Sequence, residues 1–260
     1  MAVVTLTTDL GTKDFYAASI KGKLYNLCDQ VSIVDITHEV PSFDIETAAF
    51  NLKNSYQDFP KGSIHIIGVD PVKKEDQEHV VVFHDQHYFI SADNGVFSFL
   101  FNVPPTKVLK LKSDEDKTKT TFPVKDVFAA AASHIANGNE LSDITTGEHI
   151  LLKKNSIVPT LSSNIMSGHA IYIDSMGNIT ANITKSTFAQ IGLGRKFEIS
   201  FRRPEHSIKK ISAHYNQVPR GEKIALFNNC ENLEIAINEG SAAKLFGIKR
   251  GDVVRVSFID

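Results

Sequence analysis

The sequence predicts an α/β fold with a mainly parallel sheet in an N-terminal domain, residues 1–158, followed by a smaller β-barrel-like domain, residues 165–260. Two observations carry this. In the first half, short β-branched runs alternate with segments whose apolar residues recur at helical spacing. Beyond residue 157 the helix signals thin out, and short strands separated by turn residues take over. The boundary falls near residues 155–165, and no internal repeat interrupts either part.

Residues 3–7 form a first strand, followed by a polar loop over 8–14 and a helical pattern over 15–27. Residues 31–36 read as a second strand. Ile45, Ala48, Ala49 and Leu52 place a helix within 43–56. Residues 63–69 are a third strand ending at Asp70-Pro71. Residues 80–83 and 88–90 pair as a hairpin around His84-Asp85-Gln86-His87. Residues 112–119 read as a charge-rich loop, and 127–136 as an alanine-rich helix closed by Asn137-Gly138. In the second domain, strands are predicted over 170–173, 179–183, 197–201, 224–227 and 253–258.

A chain of 260 residues with 42% hydrophobic and 22% charged residues can bury a core without staples. Its net charge of −2 gives no electrostatic footprint for nucleic acid or an anionic membrane. Two distant cysteines, Cys28 and Cys230, argue for reduced thiols rather than a disulfide framework. The first residues read as a strand, not a signal peptide, and no run approaches bilayer length, so a cytoplasmic protein is expected. The ten histidines form no metal-ligand pattern, and no glycine-rich phosphate loop or Gly-x-Ser-x-Gly elbow is present.

The residues alone point to the strand ends. In open α/β sheets, ligands sit outside the carboxyl ends of strands. Asp9 and Asp14 follow the first strand, and ionised carboxylates there can accept from sugar hydroxyls. Both could instead cap the helix that follows. Asp70 stands at another strand end, where a turn-forming role competes. Asp93-Asn94-Gly95 and Asp174-Ser175-Met176-Gly177-Asn178 are strong turn formers in their own right.

Several segments carry more when taken together. They are Thr5-Leu6-Thr7-Thr8-Asp9-Leu10-Gly11, Lys21-Gly22, Val34-Asp35-Ile36-Thr37-His38, Phe59-Pro60, Val69-Asp70-Pro71 and Ala92-Asp93-Asn94-Gly95. Thr121-Phe122, Asp126-Val127-Phe128-Ala129, Asp174 to Asn178 with Thr180-Ala181-Asn182-Ile183, Leu233-Glu234-Ile235-Ala236 and Gly240-Ser241-Ala242-Ala243 continue the series. In order and spacing they resemble the S-adenosyl-L-methionine (SAM) hydroxide adenosyltransferase family, relatives of the bacterial fluorinase and chlorinase, over nearly the whole chain. The resemblance implies a homotrimer with the ligand held between one subunit's N-terminal domain and its neighbour's C-terminal domain. SAM is then the substrate or ligand, with no further cofactor. By the same resemblance Asp9 holds the ribose hydroxyls and Asp14 lies in the same loop. Phe43 packs beside the ribose and sulfonium, and Phe122 lines the pocket around the reacting carbon. Asp174 and Asn178 match the methionine and adenine end, and Asn228 and Asn229 an adenine-site pair. Phe43 and Phe122 could equally be core aromatics.

Hydrolytic members of that family use an Asp-Arg-His set to hold and polarise water. Asp70 matches the Asp, but Gln77 stands at the Arg position and Pro123 at the His position. Proline offers no side-chain donor or acceptor, and Val124 replaces a glycine beside it. The candidate catalytic set is therefore Asp70, Gln77, Lys73 and His79. Three readings compete: hydrolysis of SAM to adenosine and methionine, a silent SAM- or adenosine-binding module, and halide chemistry. The last is disfavoured because Asp70 would repel a bound anion, unless Lys73 or a protonated His79 offset it.

Overall fold

The computed structural model describes residues 1–75, 77–112 and 120–259, without the side chains of 203–205. The charge-rich stretch 112–119 therefore lies outside the described residues, apart from Lys112. The chain divides into two compact units, Met1–Ser156 and Ile157–Asp260.

The first unit holds strands β1 (Ala2–Thr8), β2 (Val31–Thr37), β3 (Ile64–Gly68), β4 (His79–His84), β5 (His87–Ala92), β6 (Lys107–Leu111) and β7 (Thr145–Glu148). Its helices are α1 (Tyr16–Leu27), α2 (Ile45–Lys53), α3 (Phe97–Leu100), α4 (Ala129–Ala136) and α5 (Leu141–Ile144). A π-helical turn, Val124–Phe128, leads directly into α4. The sheet order is β2-β1-β3-β5-β4-β6-β7. The strands β2, β1, β3 and β5 are mutually parallel, whereas β4 is antiparallel to β5 and β6, and β6 to β7.

The sheet is thus mixed, which corrects the mainly parallel sheet expected from the sequence. The cause is local. Asp85 and Gln86 both take positive φ (48° and 66°), the two-residue hairpin geometry that sends β4 straight back as β5. A parallel return would need a crossover segment. The pairing of β6 with β4 joins residues some thirty positions apart and has no local signature.

Successive side chains of these strands face opposite layers. Val4, Leu6, Ile64 and Ile66 pack with Ile20 and Leu24 of α1 and with Phe128 and Ala132. Ile67, Val69, Val80, Val82 and Phe89 pack with Ala48 and Leu52 of α2 and with Phe97 and Leu100 of α3. The chain passes from β1 through α1 to β2 on one side, then through α2 to β3 on the other. The carboxyl ends of β1 and β3 therefore flank the point where strand order reverses, the usual place for a ligand crevice.

The second unit comprises β8 (Thr160–Leu161), β9 (Ile165–Ile173), β10 (Ile179–Thr184), β11 (Lys196–Phe201), β12 (Arg203–Ile208), β13 (Ile211–Ser212), β14 (Lys223–Phe227), β15 (Asn232–Ile237) and β16 (Val253–Ile259), with α6 (Lys185–Gly192) and α7 (Ala242–Phe246). The sheet path runs β12-β11-β16-β9-β10-β15-β14-β13, with β8 beside β9. It curls into a half-barrel, and β12 comes back against β14. Its inner face is a core of Met166, Ile183, Ile199, Ile235, Val254 and their neighbours. Among the described residues, no helix is long and apolar enough to cross a membrane.

Candidate active site

Asp9 leaves the end of β1 into a loop tied to residues 38–43. The Gly11 N–H donates to the His38 carbonyl at 2.7 Å, and the Val40 N–H to the Thr8 carbonyl at 3.2 Å. The Phe43 N–H donates to Asp9 Oδ2 at 2.9 Å. Phe43 has a left-handed backbone (φ 65°) and is 72% exposed. A non-glycine residue held this way stores strain, which clusters at functional sites. Below the loop, Thr8 Oγ1 bonds buried His38 Nδ1 at 2.7 Å, and His38 Nε2 lies 3.1 Å from Asp35, itself 2.6 Å from Lys21 Nζ. Burial pushes the Asp9 carboxyl above its ordinary range; the Phe43 N–H opposes this and the Asp70 charge adds to it. Asp14 is exposed and caps nothing, because α1 begins behind Phe15 without a side-chain cap.

Asp70 stands two residues beyond β3, beside Asp9 because Thr8 and Gly68 are register partners. It too is left-handed, with φ 44°. Its Oδ2 lies 2.8 Å from Lys74 Nζ. Lys73, the expected cation, instead pairs with Glu78 at 2.8 Å, and Lys110 approaches the same carboxylate at 2.5 Å. Burial would raise the Glu78 carboxyl, but the two ammonium groups outweigh it and hold it below its usual range. His79 is buried, its Nε2 bonds the Pro71 carbonyl at 2.9 Å, and burial keeps it neutral at pH 7. It therefore anchors the loop and supplies no positive charge. Gln77 gives its N–H to the Lys74 carbonyl, while its Oε1 is buried without a hydrogen-bond partner among the described residues.

A wall of aromatic rings stands nearby. Phe15 stacks on Tyr16 at 4.3 Å, Tyr16 meets Phe122 edge-on at 5.4 Å, and Lys125 Nζ lies 5.4 Å over the Phe122 ring. Phe122 is half-buried, and Thr120 holds its N–H at 3.0 Å while also bonding Asp126. Pro123 begins the π-helical turn, where its missing N–H costs nothing. Val124 is fully buried: a Cβ added at Gly68 would sit 2.8 Å from its Cγ2. Its bulk is thus accommodated by the glycine ending β3.

In the second unit, Asp174 closes its own turn. Its Oδ1 accepts from the Met176 and Asn178 N–H groups, and its Oδ2 from Asn178 Nδ2. Asn228 is used up by its own surroundings. Its Nδ2 donates to Thr180 Oγ1 and Glu234 Oε2, and its Oδ1 accepts from the Cys230 and Asn232 N–H groups. Asn229 beside it is exposed. Among the described residues no cluster of His, Cys, Asp or Glu could hold a metal ion.

The family models for the SAM hydroxide adenosyltransferase N-terminal and C-terminal domains match residues 4–145 and 168–255. The chain belongs to this family. It is 27% identical over 270 residues to an (R)-S-adenosyl-L-methionine hydrolase from Thermus thermophilus, covering 98% of this chain and all of the relative. It is 22% identical over 299 residues to a fluorinase from an Actinoplanes species, covering 98% and 97% of the two chains. A crystal structure of a conserved protein from Thermotoga maritima superposes with a TM-score of 0.85 at 24% identity, covering 98% of this chain and 99% of that one. The family segments Lys21-Gly22 and Val34 to His38 acquire a physical role in the Lys21–Asp35–His38–Thr8 chain beneath Asp9. Sequence reasoning missed Lys74, Tyr16 and the Asn94 side chain. Only Asn94 carried a signal, and the Asn-Gly pair masked it by reading as a turn.

Proposed function

We propose that this protein hydrolyses SAM to adenosine and L-methionine, as a cytoplasmic homotrimer with sites between subunits. The observation that carries the reading is the pair of carboxylates, Asp9 and Asp70, at neighbouring parallel strand ends, Asp9 bonded by the left-handed Phe43 and Asp70 itself left-handed. Asp9 serves the ribose: a carboxylate offers about four lone-pair sites, which leaves room for two hydroxyls beyond the Phe43 N–H. Phe43 and Phe122 line the sulfonium and the reacting carbon. Asp14, Asp174, Asn178 and Asn229 contribute to the remaining ligand contacts, and Asn228 shapes the loop that presents Asn229.

Asp70 accepts a hydrogen bond from the attacking water. The water oxygen bonds to the 5′ carbon as the carbon–sulfur bond breaks, and the bonding pair leaves with sulfur. The sulfonium becomes a neutral thioether, so no acid is needed at the leaving group. One proton is released from the water, and Asp70 is placed to take it. The pocket's main tasks are in-line alignment and exclusion of bulk water. Lys74 is the cation beside Asp70, and Lys73, Gln77 and His79 build the loop that carries it.

Incubation of the pure protein with SAM, followed by chromatography, tests this. Adenosine and methionine in equal amounts from the wild type, with strong loss in Asp70→Ala, support the reading. Saturable binding of SAM without product would favour a silent module, and a halide-dependent 5′-halo-adenosine would favour halide chemistry.

A further inference from the structure

The turn that closes β5 reads in sequence as an ordinary Asn-Gly turn, and Gly95 does take a positive φ of 95°. The side chain before it does something else. Asn94, 2% exposed, donates from Nδ2 to two successive carbonyls at the end of β3, Val69 at 2.9 Å and Asp70 at 3.1 Å. Its Oδ1 accepts the Val96 N–H at 3.2 Å, which fixes the amide's orientation. The two captured carbonyls flank the backbone torsions that put Asp70 at φ 44°.

The same turn holds the other end of the Asp70 loop. The Asp93 N–H donates to the Glu78 carbonyl at 2.7 Å. The Asp93 carboxylate, buried, accepts from His149 Nε2 at 2.8 Å and from the Leu152 N–H at 2.9 Å. One buried turn thus grips the Asp70 loop at its two ends, at Val69-Asp70 and at Glu78. An L-residue pays about 1–2 kcal/mol for the left-handed region and relaxes out of it unless its neighbours hold it.

We propose that Asn94 is a positioning residue for the hydrolysis: by clamping the Val69 and Asp70 carbonyls, it aims the Asp70 carboxylate at the attacking water. The proposal rests on the hydrolase reading above for its kinetic consequence, and on backbone geometry alone for the clamp. Asn94 touches neither water nor substrate itself. Displacement of a reacting group by about 1 Å can cost ~10²-fold in rate. Substrate affinity, set largely at the Asp9 loop, should be spared.

Two variants test this. Asn94→Asp keeps the shape but removes both donors, and Asn94→Ser retains one. The expected result is a kcat lowered by about 10²-fold in Asn94→Asp, with KM changed less than about threefold, and partial recovery in Asn94→Ser. Hydrogen exchange provides a readout independent of turnover: amides of residues 70–78 should exchange faster in Asn94→Asp, with α1 and α4 unaffected. Equal kcat in wild type and a folded Asn94→Asp would overturn the positioning role. So would a rise in KM as large as the fall in kcat. Unchanged exchange in residues 70–78 would overturn the clamp, whether or not the wild type proves to be a hydrolase. Should Asn94→Asp fail to fold, the same outcomes are read on Asn94→Ser.

Discussion

The loops at the carboxyl ends of β1 and β3 and the loops at residues 174–178 and 228–232 are equally polar, but they use their polar groups differently. In the second unit, Asp174 folds its carboxylate onto its own turn, and Asn228 makes four hydrogen bonds within its own unit. In the first unit, Asp9 and Asp70 are held in strained loops, the Asp9 carboxylate accepting from the Phe43 N–H and the Asp70 carboxylate from Lys74 Nζ. Satisfied polar groups build scaffolds, whereas groups held in place with capacity to spare can serve a ligand.

The sharpest way to break this contrast is to remove one member from each side. Asp70→Ala is expected to lower kcat by about 10²-fold or more, the usual contribution of a positioned base, with Tm nearly unchanged. Product formation at the wild-type rate would remove Asp70 from the mechanism. Asn228→Ala should do the reverse. It leaves buried donors and acceptors unmatched, at about 1–3 kcal/mol, so calorimetry should record a Tm several degrees lower. An unchanged Tm would contradict the scaffold role.

Asp9→Asn probes binding and stability in opposite directions. The raised Asp9 carboxyl means that its ionised form is costly in the fold at neutral pH. The amide can still accept the Phe43 N–H. Titration calorimetry should therefore show SAM binding weakened about tenfold or more, while Tm holds or rises. A lower Tm with intact affinity would reverse the assignment. In the wild type, affinity should decline on acidification at a pH above the ordinary carboxylate range.

Gly68→Ala is a smaller test, of packing below the site. Its Cβ would press on Val124, at a cost of about 1–3 kcal/mol, and a Val124→Ala partner change should recover much of it in a double-mutant cycle. Additive losses would mean that the two positions do not touch.

The sequence made the site's location legible and its wiring illegible. Asp9 and Asp70 could be found because strand ends followed by acidic residues are a local pattern. The strands β1, β2 and β3 were equally plain from their β-branched runs. Lys73 and Lys74 could not be told apart, because their partners depend on how residues 71–78 fold, and no periodicity governs that loop. The β4–β5 hairpin was legible from its turn, but β6 and β7 stayed hidden because they reach the sheet across long chain separations.

A weaker effect concerns acid stability. Burial, reinforced by His87, pushes His65 down to about 3, and burial also lowers His79 and His87. These rings stay neutral in the fold, while the unfolded chain takes up protons below its value of 6.5. Stability should be complete above that pH and be lost progressively as pH falls from 6.5 towards 3. His65→Asn, which keeps a partner for Thr5, should flatten this slope in Tm measured against pH.

The most direct measurement is hydrolysis of SAM in water enriched in oxygen-18, read by mass spectrometry of the adenosine. Water attack at the 5′ carbon places one heavy oxygen in the 5′ hydroxyl of every adenosine formed, and none in methionine. Adenosine without the label, or SAM bound at saturation and recovered intact, would contradict the account.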